Sequence, residues 1–466
     1  MSSDRHFQCT HCKNQFTKGA HYRDATIIQC PECLKTFIPD FWSYFRREWI
    51  EPISFAIVLA LFIKRAFFEI YVIPTSSMEP TLHGGGHFPE DGGDKVLVNK
   101  LYYKFYDLKQ WDVIVFVPPH QNQLYIKRLI GLPNQKLQII NGDLYVEGKI
   151  CRKPKVVEES MLYKFYDSSL ENGPLAHFRA FQAKDKWLPV GDKWKIEKNM
   201  FSFNHLDGLG KIIFNLPIDS RISSHRMTNI QKAANFTYKD SNGRGDIATS
   251  LDSSDSHKYF KVGDIAVDLV FNLKKGMGEF IVNIIENNHT YALKVDASTK
   301  KMSLFMDNKK VKEADIVLKE NTTLSFRNVD DRLKASVGQS SLEYEFESND
   351  QMSTTSTAEL NFSCKNLSLS FKNLKIRRDV FYHHEDNVQG TFENDIKTYH
   401  IGDKQYLCFG DNVHQSLDGR AWGYVEEHKI KGRAEYILMP IRIWPGKDLP
   451  PQIPFITHRT RFKGIH

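Results

Sequence analysis

The sequence predicts a mainly β protein with a membrane-anchoring segment and a small metal-held module at its N-terminus. Short runs of alternating apolar and polar residues recur between turn residues from about 258 to 375, a pattern typical of half-buried strands. An apolar run of membrane-spanning length lies at 53–73. Four of the seven cysteines fall in the first 33 residues as two CxxC pairs.

Composition and charge narrow the possible functions of the 466-residue chain. Hydrophobic residues are 41% and charged residues 26%, which is ordinary globular composition and excludes disorder over most of the length. The mean hydropathy of -0.44 excludes a membrane protein with many spans. Since 63 basic and 56 acidic residues leave a net charge of only +7, no nucleic-acid partner is expected.

The cysteine spacing predicts a zinc ribbon over residues 1–45. Cys9 and Cys12 form one CxxC pair, and Cys30 and Cys33 form the second, 17 residues further on. This spacing suits a tetrahedral four-thiolate site, which is structural because it leaves no open position on the metal. Two redox-active pairs, or a ribbon without metal, remain alternatives. Reduced thiolates place this end of the chain in a reducing compartment.

Residues 49–73 are predicted to form a single transmembrane anchor. Lys64 and Arg65 interrupt the apolar run, so two arrangements remain open: one tilted helix over about 49–70, or a shorter helix with an amphipathic extension in the interface. Arg46 and Arg47 precede the run, and the positive-inside rule then puts the N-terminus in the cytoplasm. Everything after about residue 74 is expected on the outer face.

Five sequence blocks follow the start of the anchor. They are IPTSSMEPTL, GDKVLVNK, WDVIVF, YIKRLIGLP and a late block containing GDN, at 73–82, 93–100, 111–116, 125–133 and 410–420. In this order they resemble the type I signal peptidases, the membrane-bound Ser-Lys proteases of the S26 family. The resemblance covers about 50–155 and 385–445, and it implies a β catalytic domain in two parts, 74–160 and 386–450.

A Ser-Lys pair can be read from the residues themselves. A serine hydroxyl needs a neighbouring base, and lysine can serve when burial lowers its pKa. Alternation along YIKRLIG puts Lys127 on the same face as Tyr125 and Leu129, and it directs Arg128 to the opposite face. The resemblance makes Ser77 the nucleophile, with Ser76 as the competing choice where the family usually has glycine.

Further roles rest on the resemblance alone. It implies that Thr75 and the Ser77 backbone N–H bind the oxyanion, that Ser416 orients Lys127, and that Asp418 and Arg420 form a supporting ion pair. Gly419 stands where the family has a further serine. The substrate pockets, which accept the small residues of an Ala-x-Ala cleavage site, would be lined by Tyr71, Ile73, Met78, Tyr125 and Ile126.

The resemblance also implies partners and location. The substrates would be the signal peptides of preproteins, with the lipid bilayer and secretion machinery as further partners. The enzyme would sit in the bacterial cytoplasmic membrane as a single-pass protein, and catalysis would need no cofactor.

Residues 165–385 are far more than a minimal catalytic core needs, and their strand pattern predicts an inserted β-sandwich of jelly-roll or concanavalin type. Docking of a partner and carbohydrate recognition are both open roles for it. Before the insertion, Asn141-Gly142 predicts a hairpin turn. Residues 451–466 are predicted to be a solvated basic tail.

Two other functions compete with a signal peptidase. The first keeps the fold but changes the substrate, as in self-cleaving Ser-Lys repressor proteases. The second is not an enzyme: a membrane-tethered sandwich that binds glycan or protein on a degenerate peptidase frame.

Overall fold

The computed structural model divides the chain into two units, residues 1–69 with 99–101, and residues 70–98 with 102–466. The structure describes residues 5–18, 27–38, 41–84, 93–169, 187–190, 193–197, 199–214, 262–348, 358–383, 390–393, 396–438 and 463–465.

The first unit begins with two short hairpins and continues into a helix. The hairpins pair β1 with β2 and β3 with β4. A helical segment α1, a π-helical turn at Arg46–Ile50 and the 16-residue helix α2 follow one another directly. The bounds are Arg5–Gln8 (β1), Gln15–Lys18 (β2), Ile28–Gln29 (β3), Thr36–Phe37 (β4), Phe41–Phe45 (α1) and Glu51–Ala66 (α2).

The helix ends earlier than the sequence predicts. Helix α2 stops at Ala66, and the last residues of the predicted 49–73 anchor instead form strand β5, Phe68–Val72. Aromatic and β-branched residues dominate this stretch, and an apolar run by itself does not distinguish strand from helix. In the part of the chain that the structure describes, no helix has both the length and the apolar character needed to cross a membrane.

The chain continues with the first part of a frame of strands and short helices, the β frame, which runs from β5 to α4. Lys127 lies on β8, which pairs antiparallel with β7. The hairpin predicted at Asn141-Gly142 is present between β9 and β10, and both turn residues have positive φ. The remaining bounds are Lys95–Asn99 (β6), Tyr102–Phe105 (α3), Val113–Phe116 (β7), Tyr125–Gly131 (β8), Lys136–Ile140 (β9), Asp143–Val146 (β10), Lys149–Ile150 (β11) and Lys155–Met161 (α4).

The inserted domain, as we call the strands from Tyr163 to Arg378, is built on two long strands. Strands β16 and β23 have 22 and 21 residues and pair with each other along both of their halves, with register shifts near Gly276. The first half of β16 pairs with β20 and its second half pairs with β17, while β15 pairs along most of β23. These strands surround one apolar core. Its class as a jelly-roll or concanavalin-like sandwich stays a prediction.

The strands of the inserted domain alternate apolar residues toward this core, as the sequence predicts. Their bounds are Tyr163–Asp167 (β12), Trp187–Val190 (β13), Trp194–Glu197 (β14), Met200–Phe214 (β15), Ile265–Glu286 (β16), His289–Asp296 (β17), Lys301–Met306 (β18), Lys309–Asp315 (β19), Thr322–Asn328 (β20), Arg332–Val337 (β21), Ser340–Glu345 (β22) and Ala358–Arg378 (β23).

The chain then returns to complete the β frame. One sheet has the order β11-β10-β9-β25-β24, and the larger one has the order β27-β26-β8-β7-β28-β6-β5 with β29 beside β28. Strand β8 is therefore central, between β7 and β26. The bounds are Thr391–Glu393 (β24), Ile396–His400 (β25), Gln405–Phe409 (β26), Gly419–Trp422 (α5), Val425–Glu426 (β27), Ile430–Leu438 (β28) and Lys463–Gly464 (β29).

The prediction of a mainly β protein is thus confirmed. The tail predicted at 451–466 is only partly described. Within it, Lys463 and Gly464 pair with β28, and Ile465 is buried, so this short stretch belongs to the sheet rather than to solvent. Residues 451–462 lie outside the described residues.

Candidate active site

Ser77 and Lys127 meet in the buried interior of the β frame. Ser77 lies on a single turn of 3-10 helix, Ser76–Met78, and Lys127 extends from the central strand β8. Their side chains are brought together so that Lys127 Nζ lies 2.5 Å from Ser77 Oγ. Ser77 is 5% exposed and Lys127 is 3% exposed. The two residues are 50 positions apart in sequence, so the fold creates this contact.

The surroundings of Lys127 favour its neutral form. Burial lowers the pKa of Lys127 to about 8, and the carboxylates of Asp418 and Asp411 oppose this shift only in part. The Tyr125 ring centroid lies 5.6 Å from Lys127 Nζ, on the same side of the strand as the alternation predicts. An amine with this pKa is partly neutral near pH 7 and can accept a proton from a hydroxyl.

Thr75 lies next to the same hydroxyl. Its Oγ1 donates to Ser77 Oγ at 3.3 Å, from extended backbone that precedes the 3-10 turn. Contact between the Thr75 hydroxyl and an oxyanion stays a prediction. It would require the hydroxyl to turn from Ser77 toward the substrate.

Asp418 and Arg420 form a buried ion pair with two parallel hydrogen bonds, each of 2.9 Å. Asp418 also accepts from the backbone N–H of Gly410 at 2.9 Å and caps helix α5. Although burial alone would raise the pKa of Asp418, the Arg420 guanidinium holds it below its usual range. Arg420 further donates to the backbone carbonyl of Val413 at 2.8 Å, which fixes the turn after β26.

Ser416 lies close to the Ser77 segment but is not hydrogen-bonded to Lys127. Its Oγ is buried and makes no hydrogen bond of good geometry to any described residue, although it lies close enough to Asp418 to help lower the pKa of that carboxyl. Gly410 explains how closely the turn approaches: a Cβ at this position would lie 2.1 Å from Ser416 Oγ and 2.5 Å from the backbone carbonyl oxygen of Ser77. Only glycine permits this approach.

Arg128 and Asp411 make a contact that the sequence did not reveal. Alternation places Arg128 on the face of β8 opposite Lys127. The Arg128 and Asp411 side chains are both 0% exposed, and Arg128 Nε and Nη2 donate to the two carboxylate oxygens of Asp411 at 2.8 and 2.7 Å. Thr81 Oγ1 and the Trp111 carbonyl accept further bonds from Arg128. The partners are far apart in sequence, so no local signal could have paired them.

The turn after β26 also holds the backbone of the Ser77 segment. Asn412 donates from its backbone to the Ser77 carbonyl and from its side chain to the Ser76 carbonyl, each at 3.1 Å. Ser76 Oγ donates to Gln415 Oε1 at 2.6 Å. Tyr163, the first residue of the inserted domain, donates its hydroxyl toward the backbone carbonyls of Glu79 and Asp411, at 2.5 and 2.8 Å.

The predicted pocket residues fall into two neighbouring apolar clusters. Ile73 and Met78 are buried in one cluster, with Tyr71 and Ile126 packed against it. Tyr125 packs against a different cluster around Phe116 and Leu129. Met78 is 0% exposed. Its assignment to a substrate pocket, like that of the other four residues, stays a prediction.

The four N-terminal cysteines converge as the spacing predicts. Their sulfur atoms all lie within 4.8 Å of one another, and two pairs, Cys9 with Cys33 and Cys12 with Cys30, are 3.6 Å apart. A disulfide needs about 2.05 Å between sulfurs. Around a tetrahedral zinc with bonds of about 2.3 Å, sulfurs lie roughly 3.8 Å apart. The cluster therefore fits zinc and not disulfides.

A buried serine hydroxyl held against a buried lysine, on an antiparallel β frame, is the arrangement of a serine peptidase. The comparison with family models identifies which one. Residues 46–200 and 298–439, more than half of the chain, match the family "Signal peptidase, peptidase S26". The chain belongs to this family and is a serine peptidase.

Curated relatives agree with the family model. Signal peptidase I T of Bacillus subtilis is 36% identical over 35% of this chain and 77% of its own length. Signal peptidase IB of Staphylococcus aureus is 30% identical over 36% of this chain and 87% of its own length. The match to signal peptidase I of Bacillus licheniformis, 35% identical over 24% of this chain, spans 55% of that protein.

Among solved structures, a carbohydrate-binding module from Bacillus subtilis aligns over 41% of this chain and 93% of its own, with 11% identity and a TM-score of 0.26. A score this low carries no argument about the role of the inserted domain.

Proposed function

We propose that the protein is a membrane-associated endopeptidase that removes signal peptides from preproteins with a Ser77–Lys127 dyad. The observation that carries this proposal is the 2.5 Å contact between Ser77 Oγ and Lys127 Nζ, both buried. Membership of the signal peptidase family supports the substrate class. The same geometry counts against a degenerate frame, because burial costs the Lys127 ammonium free energy and leaves the amine in the state and position that a general base needs.

The chemistry follows from the contact. Neutral Lys127 takes the proton of Ser77 as the hydroxyl attacks the scissile carbonyl, and the ammonium then protonates the leaving amine. The Thr75 hydroxyl and the Ser77 backbone N–H would hold the oxyanion, a role in which one donor typically contributes about 3 kcal/mol. Water then releases the acyl group from Ser77, with Lys127 again as the base.

The roles of the supporting residues differ from the simplest expectation. Asp418 and Arg420 fix the turn that carries Gly410, and through it the depth of the Ser77 segment. Ser416 is proposed to orient Lys127, although its Oγ makes no hydrogen bond to Lys127 in this structure. Tyr71, Ile73, Met78, Tyr125 and Ile126 are proposed to shape the pockets for small residues of the leader peptide.

Membrane association is proposed through helix α2. Its apolar side chains are exposed over most of its surface, with Phe55 at 68% and Val58 at 65%. Exposed apolar area of this extent favours a lipid environment. With Arg46 and Arg47 on the cytoplasmic side, the peptidase would lie on the outer face of the bacterial cytoplasmic membrane, within reach of leader peptides that emerge from the secretion machinery.

Zinc is proposed at Cys9, Cys12, Cys30 and Cys33. The support is the sulfur spacing and the small size of the apolar cluster around Phe7, Ile28 and Phe37. Such a small core does not stabilise a fold without metal.

The dyad is tested by cleavage of a preprotein in detergent. Ser77→Ala and Lys127→Ala are each expected to abolish cleavage, whereas the neighbouring Ser76→Ala should keep most of it, because Ser76 Oγ contacts only an exposed glutamine side chain. Cleavage that survives Lys127→Ala would contradict the dyad. Cleavage lost with Ser76→Ala but kept with Ser77→Ala would identify Ser76 as the nucleophile.

A further inference from the structure

A second cluster of reactive groups lies away from the dyad, where the peptidase frame meets the inserted domain. Asp143 begins strand β10 of the frame, Asp264 directly precedes β16, and Asp330 follows β20. One carboxylate oxygen of each lies within 4.8 Å of the others. Three carboxylates at this spacing repel one another strongly unless a positive charge or protons lie among them.

The local cation does not balance these charges. Lys153 Nζ contacts Asp330 Oδ1 and, at 2.7 Å, Asp379 Oδ2. One ammonium therefore serves two fully buried carboxylates, and the side chain of Asp143 makes no hydrogen bond or ion pair with any described residue. The charged groups that act most strongly on Asp264 are four further carboxylates, those of Asp143, Glu286, Asp379 and Asp330.

The pKa values of two carboxyl groups in the cluster are both raised. Burial raises the pKa of Asp143 well above its usual range, and the negative charge of Asp330 adds to the shift. Burial likewise raises the pKa of Asp264, and Asp143 adds to that shift. Burial and the neighbouring carboxylates thus both disfavour the charged form of these groups, and a cation among them would offset this cost.

Unpartnered oxygens beside the cluster provide an independent indication of a ligand. Asp379 is 0% exposed; its Oδ2 is held by the lysine shared with Asp330, and its Oδ1 finds no donor of good hydrogen-bond geometry among the described residues. Asn328 is 1% exposed, and in the described part of the chain its Oδ1 also has no donor, while its Nδ2 donates to Glu286 at 2.8 Å. Buried acceptors without donors are rare and require water or a cation.

We propose that Asp143, Asp264 and Asp330 bind a divalent, oxygen-seeking cation of the Ca²⁺ type at the junction of the two domains. Ca²⁺ accepts six to eight oxygens at about 2.3–2.6 Å, so its opposite ligands lie up to about 5 Å apart, which agrees with the spacing of the three carboxylates. Water and the free oxygen of Asp379 would complete the shell. The ion would connect one ligand of the frame with two of the insertion, independently of the peptidase chemistry.

The experiment uses the full chain, stripped of metal with chelator and then given one equivalent of zinc so that the cysteine cluster is occupied. Calorimetric titration with CaCl₂ is expected to show one site per chain, and about 1 mM Ca²⁺ should raise the thermal unfolding midpoint. Asp264→Asn and Asp143→Asn should each weaken binding at least about tenfold. Asp307→Asn, an exposed carboxylate of the same domain, is the matched control and should bind normally.

Three results would overturn the proposal. One is the absence of a Ca²⁺ site in the folded wild-type chain. Another is binding that Asp264→Asn and Asp143→Asn leave unchanged, which would place the ion elsewhere. The third is a midpoint that ignores Ca²⁺ but rises as the pH falls, which would show that shared protons neutralise the cluster. If Asp264→Asn does not fold, the partly exposed Asp143 still provides the comparison.

Discussion

Arg128 and Asp411 form a fully buried, bidentate ion pair that joins the strand of Lys127 to the turn beside Ser77. Lys127 and Arg128 are adjacent, so one strand offers a base on one face and a structural cation on the other. The pair therefore sets the relative position of two segments that meet only through the fold.

Asp411→Asn should destabilise the protein by about 3–5 kcal/mol, because it leaves the Arg128 guanidinium buried without a counter-charge. Denaturant unfolding of the full chain measures this change. Glu393→Gln removes an exposed partner of Lys136 and should change stability very little. Equal losses of unfolding free energy in the two variants would show that the buried ion pair stabilises the protein no more than the exposed one.

Cleavage should depend on pH through Lys127. Its pKa is lowered to about 8 by burial, and only the neutral amine accepts the serine proton. Hence kcat/KM should rise with pH, by about tenfold per unit well below pH 8, and level off above it. A profile that is flat from pH 6 to 9 would argue against lysine as the base.

Asp418→Asn should move that midpoint to lower pH. The Asp418 carboxylate stabilises the Lys127 ammonium, and its removal leaves Arg420 to destabilise it further, so both effects lower the pKa of Lys127. The same kcat/KM profile measures the shift, after circular dichroism has shown that the variant is folded. A midpoint that stays or rises would mean that Asp418 acts on catalysis by position alone.

Gly410→Ala should lose most activity, because its methyl group would enter the space of Ser416 Oγ and of the Ser77 carbonyl. The expected loss appears in kcat at saturating peptide substrate, since the displaced segment carries the nucleophile. Gly148→Asn is the control: a Cβ at Gly148 meets nothing within 4 Å, and asparagine tolerates its positive φ. Full activity of Gly410→Ala would show that the turn is free to retreat.

Elemental analysis of the full chain should find about one zinc, which Cys12→Ser should remove. Cys151→Ser, at a partly buried cysteine of the peptidase frame, should retain it. Zinc that persists in Cys12→Ser, or a wild-type chain without zinc, would contradict the ribbon.

Local patterns predicted those features that depend on neighbouring residues. Alternation along YIKRLIG placed Lys127 beside Tyr125, and Asn141-Gly142 gave its hairpin. The burial of Arg128 was not predictable, because its partner Asp411 comes after the insertion in the sequence, far from Arg128. The end of α2 was missed for a different reason: the apolar residues of Phe68–Val72 serve a strand as well as a helix.

Tyr163 links the start of the inserted domain to the active-site segments, which matters when the inserted domain is deleted. Its phenol bridges two main-chain oxygens, one from the segment after Ser77 and one from the turn at Asp411. A shortened enzyme that loses this residue would keep every group of the dyad but would lose the contacts that Tyr163 makes with these two carbonyl oxygens. A deletion of the inserted domain should therefore begin after Tyr163, so that the active-site segments keep their contacts with this residue.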